Sequence, residues 1–314
     1  MTKLKYQFQL IQAIRNFFLN ENFVDVLTPP AVENPGMETH IHPFQLYSPH
    51  SSKQKDLYLH SSPEFFMKEL LSSPDFEKIF TISYCFRDEP HSEIHREQFL
   101  MLEWYRKNEY YTQIMNDIEK LIEFLQSHLK FINQKQYSFQ RATIKEIFEE
   151  YLKINILNFL ETKDLKELIQ KDFPDVPLPS AECSWDDYYF LLFLNKIESQ
   201  LENIPYLLLY EFPHHLKALS TVSSTNPKVC ERFEVYMSGI EICNCFNELT
   251  NYQEQVKRFQ EQADEKNKLY GYILPQPKRF LNVLNKGYPQ STGVALGVER
   301  LFKVLTNTTN PFFD

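Results

Sequence analysis

Two apolar segments separated by a polar stretch limit the fold of this 314-residue chain more than any other feature. In residues 78–87, apolar side chains alternate with small polar ones, and this pattern predicts a half-buried strand. Residues 98–106 predict a second strand, and the polar residues 88–97 between them predict a long hairpin loop. The pair predicts an antiparallel sheet, because the alternating units of a parallel sheet would need a helix at this point.

A second predicted hairpin supports the same architecture. Residues 233–236 and 240–249 flank Ser238-Gly239, a dipeptide typical of tight turns. Residues 293–297 predict a further strand that leads directly into a helix. The strands occur in clusters and the helical patterns lie between the clusters. We therefore predict the α+β class, with an antiparallel sheet flanked by helices.

The remaining patterns predict one domain over residues 1–314. An amphipathic helix begins near Leu4, and residues 31–57 are predicted to be rich in loops because proline recurs there. Residues 140–202 are predicted to form a helical insertion of variable polarity. No internal repeat of the length found in solenoid proteins is present.

Composition excludes several classes of protein. No segment approaches the roughly 20 apolar residues of a membrane helix, and the N-terminus has no secretory signal pattern. The formal charge of −9 argues weakly against a protein that binds nucleic acid over its whole surface. The five cysteines include no CxxC pair. Two cysteines spaced like Cys243 and Cys245 on a strand more often pack on one face than bind a metal. We expect a cytoplasmic protein with no membrane association.

Charged residues inside the first hairpin indicate a binding site. By the two-residue period of a strand, Phe99, Met101, Glu103 and Tyr105 share one face. A carboxylate and a phenol beside an aromatic ring suit a cationic ligand and a planar ring. For Glu103 alone, a satisfied glutamate on a surface-facing strand is the more common explanation.

Carboxylates also concentrate in the second hairpin. Across an even-length loop, Glu234 and Glu241 project to the same face, where they would repel each other unless a cation lay between them. Glu248 has the opposite parity and joins them only if a bulge intervenes, for which Asn244 is a plausible place. The alternative is three independent glutamates on a solvated sheet face.

A third segment combines glycine with arginine. Residues 293–301 place Gly293 and Gly297 in a strand that enters a helix with Arg300 in its first turn. A helix N-terminus with a nearby arginine suits a polyphosphate, although such a pattern is also common in ordinary packing. No GxGxxG or GxxxxGK[ST] pattern is present, so a Rossmann crevice or P-loop is excluded.

Together these segments resemble the three motifs of class II aminoacyl-tRNA synthetases, and the closest match is to the lysyl branch. Thr28-Pro29-Pro30 is similar to motif 1, residues 86–89 with 99–105 to motif 2, and residues 293–301 to motif 3. Finer strings resemble the elongation factor P β-lysine ligases, paralogues of bacterial lysyl-tRNA synthetase; they lie at residues 62–71, 101–106, 232–241 and 292–301. The resemblance runs from about residue 4 to about residue 305 and implies the class II catalytic fold.

The resemblance implies the cofactors ATP and Mg²⁺. Arg87 would hold the α-phosphate, Arg300 the γ-phosphate, and Phe99 would stack on the adenine, with both arginines acting in catalysis. Glu234 and Glu241 would hold Mg²⁺. Further residues placed around ATP are Asp88, Glu89, Arg96, Glu241, Ile242 and Gly297.

The resemblance also implies a site for (R)-β-lysine or lysine. Glu248 and Tyr105 would take the side-chain amine. Ala295 stands where lysyl-tRNA synthetases usually have glycine, and the extra methyl favours the β-amino isomer in this family. The other residues placed around the amino acid are Ser62, Pro63, Glu64, Glu103 and Asn244.

The implied reaction has two steps. The amino acid is activated as its adenylate and is then transferred to a lysine ε-amine of elongation factor P. An anticodon-binding barrel is expected to be absent, which makes tRNA an unlikely acceptor, and a homodimer is implied. Two alternatives stay open: a truncated enzyme of the lysyl-tRNA synthetase type that charges tRNA, and a non-catalytic paralogue.

Several positions depart from the family pattern. The usual HNPEF string reads His95-Arg96-Glu97-Gln98-Phe99, the string RNEE reads Arg87-Asp88-Glu89-Pro90, and Glu299 replaces aspartate. Cys245 and Asn251 replace a usual glycine and a usual aspartate. These changes concern contacts with the adenine more than the two arginines and three glutamates, all of which are retained.

Overall fold

The computed structural model describes residues 2–50, 52–135 and 138–312. Its α-helices are α1 Thr2–Asn20, α2 Glu64–Leu71, α3 Tyr111–His128, α4 Ile144–Leu152, α5 Thr162–Asp172, α6 Trp185–Lys196, α7 Glu198–Leu201, α8 Tyr252–Tyr270, α9 Lys278–Asn285 and α10 Val298–Thr306. Its strands are β1 Val24–Asp25, β2 Ala31–Val32, β3 Gln45–Ser48, β4 Lys53–Leu59, β5 Lys78–Phe86, β6 Gln98–Lys107, β7 Gln140–Thr143, β8 Tyr206–Pro213, β9 Val229–Met237, β10 Ile240–Asn247 and β11 Ser291–Gly297.

The chain divides into two compact units. The first unit comprises Met1–Gln134 and Glu248–Asp314, and the second comprises Lys135–Asn247. Helices α4 to α7 of the second unit fall in the predicted insertion at residues 140–202. The assignment of residues 1–314 to one domain with that insertion stays a prediction.

The sheet of the first unit carries the strands in the order β1-β5-β6-β11. Strands β5 and β6 pair antiparallel, as predicted, and β11 pairs antiparallel with the other edge of β6. Strand β1 pairs with β5 in the parallel direction. Central β6 is therefore hydrogen-bonded along both edges, and its residues from Leu100 to Arg106 are buried.

Helices close the first unit around an aromatic core. Phe18 of α1 stacks on Phe80 of β5, with ring centroids 4.9 Å apart, and contacts Trp104 of β6 at 5.1 Å. Asp117 of α3 accepts two hydrogen bonds of 2.7 Å from Arg106 of β6 and one from the Trp104 indole. Burying the aromatic rings and pairing the buried Asp117 fixes α1 and α3 against the sheet.

The region predicted to be loop-rich, residues 31–57, contains most of a small three-stranded antiparallel sheet. Its strand order is β2-β4-β3. Strands β2 and β3 are only two and four residues long and alternate between exposed and half-buried positions. Such short, polar strands between prolines carry little hydrophobic signal, which is why the sequence pattern did not predict them.

The sheet of the second unit has the order β10-β9-β8-β7, with β7 parallel to β8 and the other pairs antiparallel. The predicted hairpin is confirmed: β9 and β10 are joined through Ser238 and Gly239, both at positive φ. A two-residue turn with positive φ at both positions matches the twist of the strands. Helix α6 begins with a capping box of Ser184 and Asp187, and its aromatic side chains fill the core of this unit.

Candidate active site

Glu103 occupies the centre of the first unit's sheet. It lies opposite Thr81 of β5 and Ala295 of β11, and its side chain is fully buried. Its carboxylate accepts hydrogen bonds from the Ser62 hydroxyl and, at 3.2 Å, from the Tyr105 hydroxyl. Burial raises the pKa of Glu103 to about 8, and the charge of Glu64 adds to the rise, against the effect of the two hydrogen bonds. The carboxylate is thus poorly compensated by the protein, which is the condition that favours a bound cation.

The start of α2 positions the next two residues of the site. The Ser62 oxygen accepts a 3.1 Å hydrogen bond from the Glu64 backbone N–H, so the hydroxyl is free to donate to Glu103. Pro63 precedes the first helical residue, with a φ of −77° that is already close to helical. The Ser-Pro-Glu sequence therefore places a hydroxyl and a carboxylate beside the central strand.

Lys68 links two of the predicted carboxylates. Its Nζ lies 2.5 Å from the Glu64 Oε1 atom and 2.5 Å from the Glu248 Oε2 atom. Burial alone would lower the pKa of Lys68, but the charges of Glu248 and Glu64 raise it above its usual value. Burial raises the pKa of Glu248 to about 8, while the attraction of Lys68 opposes the rise. The pair is therefore an internal ion pair withdrawn from water.

Gly293 allows the backbone to pass closely over Tyr105. The two residues are opposite each other in the β11–β6 pair. A Cβ atom at Gly293 would lie 2.0 Å from Cε1 of the Tyr105 ring and 2.8 Å from Glu248 Oε1. No side chain fits in that space, so glycine at this position lets Tyr105 and Glu248 share one pocket wall.

A second group of predicted residues lies at the ends of β5 and β6. The Arg87 guanidinium is 5.2 Å from the centre of the Phe99 ring, and its Nε contacts the Ser61 carbonyl at 3.4 Å. Nη2 of Arg300 lies 2.9 Å from His95 Nε2. These contacts leave a planar ring and two guanidinium groups on strand and helix ends, a combination suited to a base and phosphates.

Three of the departures from the family pattern, Arg96, Gln98 and Glu299, line one cavity of about 220 Å³, together with Tyr84, His91, Glu97 and Phe312. Arg96 stacks on the Phe312 ring at 4.3 Å. Both oxygens of Glu299 accept the Leu100 backbone N–H, at 2.8 and 3.0 Å, and burial raises the pKa of Glu299 to about 7. Glu299 therefore ties α10 to β6.

Three further residues predicted near ATP lie at element ends: Asp88 and Glu89 follow β5, and Gly297 ends β11. Asp88 donates its backbone N–H to the His42 carbonyl at 2.7 Å, and Glu89 donates its own to the Arg87 carbonyl at 2.9 Å. Gly297 is the N-cap of α10, and its open flank brings no atom closer than 3.5 Å to an added Cβ. The N-terminus of α10 thus offers backbone N–H groups beside Arg300.

In the second unit, Glu234, Tyr236 and Glu241 share one sheet face. Glu241 lies directly opposite Tyr236, and Tyr236 lies two residues after Glu234 on β9. Glu234 accepts a hydrogen bond of 2.8 Å from the Tyr236 hydroxyl and pairs with Arg232. Burial raises the pKa of Glu234 to about 7; Arg232 opposes the rise and Glu241 adds to it.

The predicted β-bulge is present but not at Asn244. The register of the β9–β10 pair shifts between Glu241 and Cys243, which places the extra residue at Ile242. Asn244 instead pairs in register with Glu234 and joins the same face. Its Oδ1 atom is buried and has no hydrogen-bond partner among the described residues. An unsatisfied buried amide oxygen of this kind favours a ligand contact.

The half-buried carboxylates of this face fit a hard divalent cation. Glu234 and Glu241 supply the oxygen ligands that Mg²⁺ prefers, and a cation between them would relieve the repulsion that raises the Glu234 pKa. Over residues 2–50, 52–135 and 138–312, no group of three or more His, Cys, Asp or Glu side chains is arranged to hold a metal. Two carboxylates suffice for Mg²⁺ where phosphate oxygens and water complete its shell.

Sequence reasoning assigned no role to the residues that pair with these acids. Lys68 follows Glu64 by four residues, a spacing that brings side chains together on a helix. Arg232 precedes Glu234 by two residues and therefore shares its face of β9. Both spacings are visible in the sequence, but the burial that distinguishes these pairs from ordinary surface pairs is not.

No helix within the described part of the chain is long and apolar enough to cross a membrane. All five cysteines are free thiols.

Comparison with known proteins identifies relatives over nearly the whole chain. Curated relatives named elongation factor P–(R)-β-lysine ligase occur in Erwinia tasmaniensis, Proteus mirabilis and Photobacterium profundum, at 35%, 34% and 31% identity. The alignments cover 93%, 93% and 95% of this chain and 87%, 87% and 90% of the relatives. The model of the family "tRNA synthetases class II (D, K and N)" matches residues 1–310. The chain belongs to this class II tRNA synthetase family.

Proposed function

We propose that this chain is an ATP-dependent ligase that activates (R)-β-lysine or lysine and transfers it to a lysine side chain of elongation factor P. The observation that carries the proposal is the buried acid cluster of the first unit: Glu64, Glu103 and Glu248 with one internal cation, Lys68. The chain that contains this cluster aligns with at least 87% of the length of relatives that are named as ligases.

The charge of the cluster favours a diamino acid. When all three carboxyl groups are ionised, one ammonium leaves two negative charges without a positive partner; in the protein alone, burial raises the pKa values of Glu103 and Glu248 to about 8. A substrate with two ammonium groups supplies both charges. In the proposal, Glu248 and Tyr105 bind the side-chain amine. The other amino-acid contacts are Ser62, Pro63, Glu64, Glu103, Asn244 and Ala295.

Arginine, aromatic and turn residues are proposed to bind ATP. Phe99 stacks on the adenine, Arg87 binds the α-phosphate and Arg300 the γ-phosphate, because the two guanidinium groups match the charge of the phosphates. The remaining proposed ATP contacts are Asp88, Glu89, Arg96, Glu241, Ile242 and Gly297. Glu234 and Glu241 would hold Mg²⁺, which would neutralise phosphate charge.

The chemistry follows from positioning and charge. The substrate carboxylate attacks the α-phosphorus, the bond to the β-phosphate oxygen breaks, and pyrophosphate leaves. The lysine amine of the acceptor, after losing a proton to water, attacks the adenylate carbonyl; an amide forms and AMP leaves. Arg87 and Arg300 stabilise the charge that develops on the phosphates, and no covalent enzyme intermediate is required.

A homodimer and a cytoplasmic location are part of the proposal. Helix α1 exposes an apolar stripe of Leu4, Phe8 and Leu19, and Leu27 is 87% exposed. Spacings of four and eleven residues place the three helical side chains on one face, as a subunit interface requires. Five free thiols fit a reducing compartment.

Acceptor labelling tests the proposal. The protein is incubated with ATP, Mg²⁺ and (R)-β-lysine, together with either elongation factor P or total tRNA. We expect the acceptor protein to gain one lysyl unit in a linkage that survives mild base, as an amide does. A base-labile label on tRNA with none on the protein would establish the tRNA-charging alternative, which the family description favours. No label on either acceptor, and no adenylate, would establish the non-catalytic alternative.

A further inference from the structure

Lys68 differs in its contacts from Lys266, the other buried lysine among the described residues. Its side chain is 2% exposed, and its ammonium bridges Glu64 on its own helix and Glu248, which follows β10 in the chain. The Phe280 ring of α9 covers the ammonium at 5.5 Å. Buried Lys266 offers a contrast, since it donates to the Ile41 carbonyl at 2.7 Å and burial lowers its pKa.

We infer that Lys68 is a positioning residue that holds the Glu64 and Glu248 carboxyl groups in place for the substrate and favours the ionised form of Glu248. The inference rests on the proposed function and deepens it. Lys68 itself need not touch the substrate. It acts through the two carboxylates, each of which keeps a second oxygen for a ligand.

The physical basis is the state of a buried acid without a counter-ion. A carboxyl group in a dry site takes up a proton rather than carry an uncompensated charge. Neutral Glu248 would bind an ammonium far less strongly than the carboxylate does. Lys68 opposes protonation of Glu248, because its ammonium is attached to α2 and is present whether or not the substrate is bound.

Titratable groups from two elements and two connecting segments influence Lys68 or its partners. Glu64 lies on α2, Glu103 and Tyr105 on β6, Glu248 after β10, and Tyr288 before β11. Burial raises the pKa of the Tyr288 hydroxyl, so this phenol stays neutral over the range in which the enzyme is tested. Removing Lys68 therefore changes the electrostatic environment of the three carboxyl groups and removes no other cation from the cluster.

The test follows pyrophosphate exchange with (R)-β-lysine from pH 6 to pH 9.5 in Lys68→Met and Lys68→Arg. In Lys68→Met, Glu248 stays protonated up to a higher pH because the attraction of Lys68 no longer lowers its pKa, so the acid limb of kcat/KM moves upward by about one pH unit or more. At pH 7 the KM rises roughly tenfold for each unit, whereas kcat at saturating substrate changes less. Lys68→Arg keeps the charge and leaves the acid limb in place.

The matched control is Lys266→Met, which removes an equally buried lysine whose partner is a carbonyl. Its acid limb should coincide with that of the wild type. An unchanged acid limb and KM in Lys68→Met would overturn the inference. If Lys68→Met does not fold, Lys68→Arg decides, because a shifted limb in this charge-preserving variant would overturn the inference and an unshifted one supports it.

The design separates this inference from the proposed function. If the wild-type protein catalyses no pyrophosphate exchange with either lysine isomer, the proposed function is contradicted, whatever the role of Lys68. Wild-type exchange combined with an unchanged Lys68→Met profile contradicts only the role of Lys68. Substrate affinity measured by calorimetry at pH 7 and pH 9 supplies a second readout, in which the Lys68→Met deficit should shrink at the higher pH.

Discussion

The two units each contain acids beside an internal cation, but the cation is used differently. In the first unit, Lys68 bridges two carboxylates, and Glu103 and Glu248 are almost fully buried. In the second, Arg232 pairs with Glu234 alone, and Glu234 and Glu241 stay half-buried. The cluster of Glu64, Glu103, Glu248 and Lys68, here called the dry cluster, selects an ammonium group by charge and hydrogen bonding. A wetter pair suits Mg²⁺, which gives up its water reluctantly. The full burial of Glu103 and Glu248, compared with the partial exposure of Glu234 and Glu241, distinguishes the two kinds of site.

Among the substitutions that test the difference between the two units, Glu248→Gln should have the largest effect. It removes the charge that pairs with the substrate's side-chain amine and leaves one carboxylate for Lys68. We expect kcat/KM for the diamino acid to fall about 100-fold or more, because losing one partner of a buried charge pair costs about 2–5 kcal/mol. Glu69→Gln, on the same helix as Glu64 but paired with exposed Arg279, serves as the control. Equal losses in both variants would contradict the pocket assignment.

Gly293→Ala should disturb the dry cluster through its wall. An added Cβ would lie 2.0 Å from the Tyr105 ring, so the ring or the strand must move. We expect the free energy of unfolding to fall by about 1–3 kcal/mol, the usual cost of overpacking. Chemical denaturation of Gly293→Ala and Gly297→Ala gives a matched pair on one strand, since the nearest atom to a Cβ at Gly297 is 3.5 Å away. Similar stabilities for the two variants would refute the close approach.

Glu234→Gln should affect the half-buried pair and leave the dry cluster intact. Removing one carboxylate lowers the charge available to Mg²⁺, so the concentration that gives half the maximal exchange rate should rise roughly tenfold. The KM for (R)-β-lysine should stay near the wild-type value at saturating Mg²⁺. The control, Glu231→Gln, changes a glutamate on the opposite face of β9. A changed KM with an unchanged Mg²⁺ requirement would reverse the two assignments.

The pH dependence of the protein's stability should show that Glu103 is desolvated in the dry cluster. The pKa of Glu103 in the folded protein, about 8, lies above the usual 4.5, so between these pH values Glu103 ionises in the unfolded chain but stays protonated in the fold, and stability falls as pH rises from about 4.5 to about 8. Glu103→Gln should therefore gain in melting temperature relative to the wild type between pH 5.5 and pH 8.5, by roughly 2–4 °C per kcal/mol relieved. Thermal unfolding across this range measures the gain. Parallel pH curves for the two proteins would show that Glu103 is not desolvated.

The fold was predictable where periodicity is strong. Strands β5, β6, β9 and β10 follow their alternating or hairpin patterns closely, whereas β2 and β3 are too short and polar to leave a signal. The bulge was expected from the parity of the glutamates, but its place at Ile242 was not. Parity requires one extra residue between Glu241 and Glu248 without saying which residue it is.

The site was predictable from motifs for its acids and arginines, but not for its internal pairing. Lys68 and Arg232 lie at helix and strand spacings from their partners, yet such spacings are common on solvated surfaces, where they stabilise little. Their importance follows from burial, which depends on the packing of α2 and β9 in the folded units. The sequence pattern alone does not contain that information.

The most direct test of the central claim is pyrophosphate exchange by the wild-type protein with (R)-β-lysine, lysine or norleucine as the amino acid. Norleucine matches the length of lysine but lacks the side-chain amine. We predict ATP-dependent exchange with one or both diamino acids and none above background with norleucine, because a buried acid left unpaired rejects a neutral analogue strongly. Exchange with norleucine at the rate of the diamino acids would contradict the claim that the dry cluster of the first unit selects an ammonium group.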